Sequence, residues 1–101
     1  MSTLLIEIET EMKDQALWSQ EPPARSAFAS TVPFYADTMA FTDWLQWVFV
    51  VRFRELLEGG HPLPDKSAVH PMAEEMFRDL SQETDALLNL IAAFDRELSG
   101  D

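Results

Sequence analysis

The sequence lacks cysteine, and this absence removes several kinds of chemistry at once. Without thiols there can be no disulfide, no thiolate zinc site, no iron–sulfur cluster and no cysteine nucleophile. Glycine is scarce as well, with 3 in 101 residues, and the pair Gly59-Gly60 follows a predicted helix rather than preceding one. A glycine-rich loop that cradles phosphate is therefore not expected.

Histidine is also scarce, with 2 in the chain. His61 and His70 each directly precede a proline, whereas di-iron bundles need Glu-x-x-His pairs on two helices. His70 and Glu74 have a spacing of four residues, but an acidic helix contains such spacings by chance. There is no Gly-x-Ser-x-Gly nucleophile motif either. The sequence therefore predicts no metal site, no cofactor and no catalytic residue.

Long apolar runs and a basic N-terminus are missing too. The longest apolar run covers residues 47–51, far short of the ~20 residues that span a bilayer. Residues 1–11 contain three acids and no basic side chain, which is unlike a secretory signal. We therefore expect a cytoplasmic protein that does not enter membranes.

The charge is strongly of one sign, with 18 acidic and 7 basic residues and a net charge of −11. Such a surface repels phosphate, so we expect no direct binding to nucleic acid and none to anionic lipid. Two interpretations remain open: the charge steers the protein toward a basic partner, or it serves solubility alone.

The apolar residues, at 47% of the chain, are sufficient for one hydrophobic core, and the length predicts a single domain over residues 1–101. Apolar residues recur every three or four positions, as in amphipathic helices. We predict an all-α fold, a four-helix and antiparallel bundle with a proline-rich connector, residues 19–36, packed on it. The predicted helices cover about residues 3–18, 43–58, 70–80 and 81–98.

Two of these helices have clear apolar faces. The first helix predicts a buried face of Leu5, Ile8, Met12 and Ala16. In the fourth helix the spacing predicts a buried face made of Leu87, Ile91, Phe94 and Leu98. In the third helix the predicted buried face is made of Met72, Met76, Phe77 and Leu80.

Arg52 is the most unusual residue of the second helix. At 100° per residue it falls on the apolar face, with Phe41, Leu45, Val48 and Leu56. A guanidinium there either extends to the surface or pairs with a carboxylate, because a buried unpaired charge is costly. Asp37 is one of two charged residues between Pro22 and Phe41, and we predict an Asp37–Arg52 ion pair. That pair would either clamp the connector or anchor a ligand.

Two tryptophans flank the same face. Trp44 and Trp47 lie between the apolar and the polar sides of the predicted helix. They either pack against the connector or present an aromatic anchor to a partner. Asp37, Trp44, Trp47 and Arg52 therefore form the candidate functional or structural cluster.

The residues around this cluster resemble the YqcC-like family of small bacterial helical proteins. The resemblance rests on Pro33-Phe34, Asp37-Thr38-Met39, the run Trp44-Leu45-Gln46-Trp47-Val48, Arg52 and Pro62-Leu63-Pro64. It implies a four-helix fold over most of the chain. Where the family usually has a proline before the arginine, this chain has Val50-Val51, so no proline kink is expected.

The resemblance also bears on function, since some family members are encoded next to a tRNA pseudouridine synthase. This chain is too short and too acidic to supply the catalytic domain and RNA surface of such an enzyme. The sequence therefore favours a non-catalytic protein-interaction module, accessory to an RNA-modifying or other basic partner. The alternatives are a binder of a small anionic ligand, or an enzyme, with a pocket beside Arg52, and a structural homodimer.

Overall fold

Helices make up the regular structure of the chain in the computed structural model, which describes residues 2–64 and 68–99. Two 3₁₀ turns, Arg25–Ala29 and Pro33–Tyr35, lie in the connector. No strand occurs in the described ranges, so the predicted all-α class is confirmed. In the same ranges no helix has the length and apolar character needed to cross a membrane. The main helices are α1 (Ser2–Asp14), α2 (residues 41–58), α3 (Val69–Phe77) and α4 (Asp85–Ser99).

The core lies where α4 packs against both α1 and α3, and where α1 packs against α2. The predicted apolar faces of α1 and α4 are confirmed at Ile8, Met12, Leu87, Ile91 and Phe94, which are fully buried. The prediction was wrong at Ala16, which lies beyond the end of α1 and is exposed. On α3 the prediction was partly wrong. Phe77 is buried together with Val69 and Ala73, whereas Met76 is 40% exposed. The predicted antiparallel order of the helices stays a prediction.

The end of α1 comes earlier than predicted because its last turn closes in a Schellman motif. The Leu17 N–H donates to Met12 O at 2.7 Å and the Ala16 N–H donates to Lys13 O at 3.1 Å. Ala16 has φ 59°, the left-handed conformation that this motif requires. This turn directs the chain away from α1 and toward α2.

A π-helical segment in α2 changes which residues face the core. The helix is α-helical over Phe41–Trp44, π-helical over Leu45–Val50 and α-helical again over Val51–Glu58. One wider turn rotates the following residues by about 100° relative to a regular α-helix. Phe49 and Phe53 are therefore buried, at 3% and 8% exposure.

The connector is held to the rest of the protein by a few specific contacts. Thr38 Oγ1 donates to Ala27 O at 2.8 Å, and Ala27 is buried. Phe34 packs against the core, although its φ of 58° lies in the left-handed region, which costs about 1–3 kcal/mol. The expected packing of the connector is confirmed at these residues but not at Phe28, which is 36% exposed.

Candidate functional site

The four candidate residues do not form one cluster. Trp44 and Arg52 line a common cleft on one side of α2. Trp47 lies on another side of the helix, where it lines a cavity together with Ser19. Asp37 is exposed and directly follows the connector. The sequence therefore identified two residues of the cleft and two residues that lie outside it.

The predicted Asp37–Arg52 ion pair was wrong. The Asp37 carboxylate accepts a hydrogen bond from Ser30 Oγ at 2.5 Å, and Arg52 is exposed and makes no ion pair with any residue in the described ranges. The physical reason is the π-helical turn before Arg52. It moves the buried face on by one residue, so that Phe53 takes the inward position that a regular helix would have given to Arg52.

An aromatic cluster forms the inner wall of the cleft. The Trp44 ring stacks on Phe49, with centroids 5.7 Å apart and planes at 23°, although the two residues are five positions apart. In a regular α-helix such residues point about 140° apart, so the π-helix brings these rings together. The Phe34 ring meets Trp44 edge-on at 4.9 Å. Trp44 thus packs against the connector, the simpler of the two expectations for it.

The cleft itself has a volume of about 320 Å³ and is open to solvent on one side. Its far wall comes from Pro64 and Val69, so it lies between α2, the connector and the start of α3. Among the described residues that line it, Arg52 carries the single charge. A second cavity of about 210 Å³ adjoins it across Phe34. Chemically, the arrangement is an apolar cleft with one cation at its edge.

Gln46 is the residue that the sequence analysis missed. It is 3% exposed, and its amide is paired twice with one residue of the chain that follows α1. The Ser19 N–H donates to Gln46 Oε1 at 2.7 Å, and Gln46 Nε2 donates to Ser19 O at 2.8 Å. These bonds clamp the connector to α2, which is one of the two roles predicted for an Asp37–Arg52 pair. A single polar residue between the apolar residues 44–45 and the apolar run 47–51 was the available signal.

Trp47 lies next to this clamp. It is half-buried and lines a cavity of about 290 Å³ together with Trp18 and Arg54. Its indole nitrogen is buried and has no hydrogen-bond partner among the described residues. Trp47 is therefore a half-buried residue of the wall between α2 and the end of α1, and it is separate from the cleft.

Arg54 differs from Arg52 because it has a partner. It forms an ion pair with Glu9 of α1, whose carboxylate also binds Lys13 at 2.8 Å. The hydrogen bond from Lys13, and then the one from Arg54, lower the pKa of Glu9 below its ordinary value of 4.5. Burial of the carboxylate opposes this shift in part. The network ties α1 to α2.

Metal ligands are not gathered anywhere in residues 2–64 and 68–99, where no group of three His, Asp or Glu could hold an ion. His70 Nδ1 lies 3.3 Å from Glu74 Oε1, the spacing noted in the sequence. The His70 backbone N–H donates to Asp95 Oδ2 at 2.8 Å. This hydrogen bond joins the start of α3 to α4, so the position of His70 has a structural explanation.

A protein family and several relatives match this chain. The model of the family DUF446, described as "tRNA pseudouridine synthase C", matches residues 1–97. An uncharacterized protein of Haemophilus influenzae is 41% identical over 88 residues, which cover 87% of this chain and 83% of the relative. The uncharacterized protein YqcC of Escherichia coli is 39% identical over 67 residues, or 66% of this chain and 62% of the relative.

Two further matches concern architecture. The solution NMR structure of YqcC from E. coli superposes with a TM-score of 0.83 and 31% identity, covering 98% of this chain and 85% of that chain. A tRNA pseudouridine synthase C of Pectobacterium carotovorum is 43% identical over 60 residues, which are 59% of this chain but 16% of that protein. The family match, the relatives and the shared structure show that the chain belongs to the YqcC-like family, DUF446.

Proposed function

We propose that this chain is a non-catalytic interaction module that binds a basic, RNA-modifying protein of the tRNA pseudouridine synthase type. The single observation that carries this proposal is the match to the P. carotovorum synthase, in which the related segment is a small part of a much longer protein. A segment related to 59% of this chain thus occurs within a protein that bears the name of the enzyme.

The length of the match supports a separate role for the module. The match covers 16% of that protein, so most of the synthase lies outside it. Joining two units in one protein raises the effective concentration of each at the other, which is useful when the two must bind one another. As a separate chain, the module would need intermolecular affinity instead.

Charge supports a basic partner. The net charge of −11 favours association with a positively charged surface, and a protein that holds tRNA presents such a surface. Exposed acids occur on several elements, for example Glu55 and Glu58 on α2 and Glu74 and Glu75 on α3. These side chains would accelerate the encounter more than they would stabilise the complex.

The cleft adds support for a non-catalytic role. In the described part of the chain its walls offer one ionisable side chain, Arg52, and no carboxylate or histidine beside it. General acid–base chemistry needs a group that gains or loses a proton near neutral pH, and an arginine does not.

The experiment is a binding measurement with the purified tRNA pseudouridine synthase of the same organism. We expect a complex on size-exclusion chromatography with light scattering, and an association rate that falls as salt is raised. The double variants Glu55→Gln/Glu58→Gln and Glu74→Gln/Glu75→Gln remove equal charge from α2 and α3, and the one nearer the interface should slow association more.

Two outcomes would contradict the proposal. One is the absence of a complex at tens of micromolar protein, near the weak end of specific association. The other is a stable homodimer of this chain that shows no affinity for the synthase, which would favour the structural alternative.

A further inference from the structure

We infer that the cleft beside Arg52 is a binding site for a small monocarboxylate with an apolar body. The inference rests on two observations about the described residues. The cleft is walled by aromatic and aliphatic side chains, and the cation at its edge lacks a carboxylate partner among the described residues. This site is independent of the protein partner proposed above.

The chemistry of Arg52 favours a carboxylate as the charged group of the ligand. A guanidinium offers a planar fork of donors that matches the two oxygens of a carboxylate. Arg52 is exposed to solvent on one side, and the apolar wall reduces the screening of such a pair on the other. The protein as a whole, at −11, repels an anion at long range, so the local charge of Arg52 is required to hold one.

The side chains that line the cleft favour a ligand with an apolar body. The cleft is lined by Phe34, Trp44, Phe53 and Val69. Binding of an apolar ligand removes these surfaces from water, which is favourable. Ligand sites have volumes of about 300–1,000 Å³, and this cleft, at about 320 Å³, lies at the small end. An aliphatic or aromatic acid of modest size fits this volume, whereas a nucleotide or a large cofactor does not.

The rings themselves argue against a nucleobase as the occupant. The Trp44 ring already stacks on Phe41 and on Phe49, so part of its aromatic surface is covered within the protein. Recognition of a base relies on an available aromatic face. A flexible chain or a small ring that touches the edges of these residues needs no such face.

Octanoate is a suitable probe, with octanol as its uncharged match. We expect octanoate to change the tryptophan fluorescence saturably at millimolar concentration, and octanol to bind about tenfold more weakly or worse, because it lacks the charge that Arg52 recognises. The comparison uses the natural chain and does not depend on how any variant folds. Equal binding of the two probes, or no saturable binding of octanoate, would overturn the inference.

Variants then locate the site. Arg52→Gln should weaken octanoate about tenfold while leaving octanol unchanged, and Arg52→Lys should have an intermediate effect because it keeps the charge but loses the fork. Arg78→Gln is the matched control, since Arg78 is an exposed arginine outside the cleft that pairs with Glu75. If Arg78→Gln weakens octanoate as much as Arg52→Gln does, binding follows net charge and the site is not the cleft.

Discussion

Two sides of α2 differ in how they meet the rest of the protein. On the side of α1, the Gln46 amide pairs twice with Ser19, and Arg54 pairs with Glu9. On the side of the cleft, Trp44 makes ring contacts and Arg52 makes no ion pair with the described residues. Polar contacts fix one side, while the other presents an apolar surface and the exposed Arg52.

The difference teaches what the π-helix contributes. Arg52 and Arg54 are two positions apart in one helix, yet one has a structural partner and the other stands at the edge of a cavity. Because the wider turn at Leu45–Val50 moves the buried face on by one residue, it turns Arg52 outward and aligns Trp44 with Phe49. π-Helical turns are frequent at functional sites, and this one lines the cleft for which a ligand is proposed.

We expect the largest effect on stability from a substitution of Gln46, which fixes the side of α2 that faces α1. Gln46→Ala removes both hydrogen bonds, leaves the Ser19 backbone groups without partners and opens a small void. We expect it to lower the free energy of unfolding by about 2–4 kcal/mol, measured by urea titration. Gln20→Ala, at an exposed glutamine close by, should change it by less than about 0.5 kcal/mol. Similar effects of the two variants would show that the clamp does not stabilise the fold.

The next largest effect on stability is expected at the turn that places Ser19 beside Gln46. Ala16 is left-handed at φ 59°, a conformation that glycine adopts without steric cost. We expect Ala16→Gly to raise the free energy of unfolding by about 1 kcal/mol, seen as a higher melting temperature. Gln15→Gly, at the residue between the end of α1 and Ala16, should lower it instead, because the Gln15 N–H still donates to Glu11 O at 3.0 Å in a helical conformation that glycine disfavours. Destabilisation by Ala16→Gly would mean that the Schellman turn is not formed.

The two arginines of α2 test the comparison directly. Arg54→Ala should lower the free energy of unfolding by about 0.5–1 kcal/mol, because it breaks the partly exposed pair with Glu9. Arg52→Ala should change it by less than about 0.5 kcal/mol. Chemical denaturation of both variants gives the two values side by side. Greater loss with Arg52→Ala would restore the idea that Arg52 clamps the connector.

The smallest effect is a dependence on pH. The folded pKa of Glu9 is lowered by Lys13 and Arg54, so its contribution to stability is full above the unfolded value of 4.5 and is lost as the pH falls through the folded pKa. The stability advantage of the natural chain over Glu9→Gln should therefore be present at neutral pH and shrink below about 4.5. Parallel urea titrations from pH 7 to pH 3 would reveal it. An advantage that stays constant over this range would exclude the proposed role of Glu9.

The part of the structure that follows a regular helix could be predicted from the sequence. The buried faces of α1 and α4 were predicted from the spacing of their apolar residues, because both helices keep 3.6 residues per turn. The burial of Ile8, Met12, Ile91 and Phe94 follows from that spacing. The cleft could be predicted only in part. Trp44 and Arg52 stood out by residue type, but their meeting with Phe34 depends on contacts between distant segments.

What could not be predicted has one main source. A wheel drawn at 100° per residue has no means of registering a π-helical turn, so every position after Leu45–Val50 was placed one residue out of phase. The ion pair assigned to Arg52 was a consequence of that phase error. Gln46 was missed because an amide can be exposed or buried, and only its pairing with Ser19 explains why it is buried.

The contrast between the two sides of α2 is tested most directly by an NMR titration of the ¹⁵N-labelled protein with octanoate. We predict that the Trp44 indole and the amides of Arg52 and Val69 shift saturably with one common affinity, while those of Ser19 and Gln46 stay in place. Shifts centred on Ser19 and Gln46, shifts spread evenly over the protein, or no shifts at all would contradict the account.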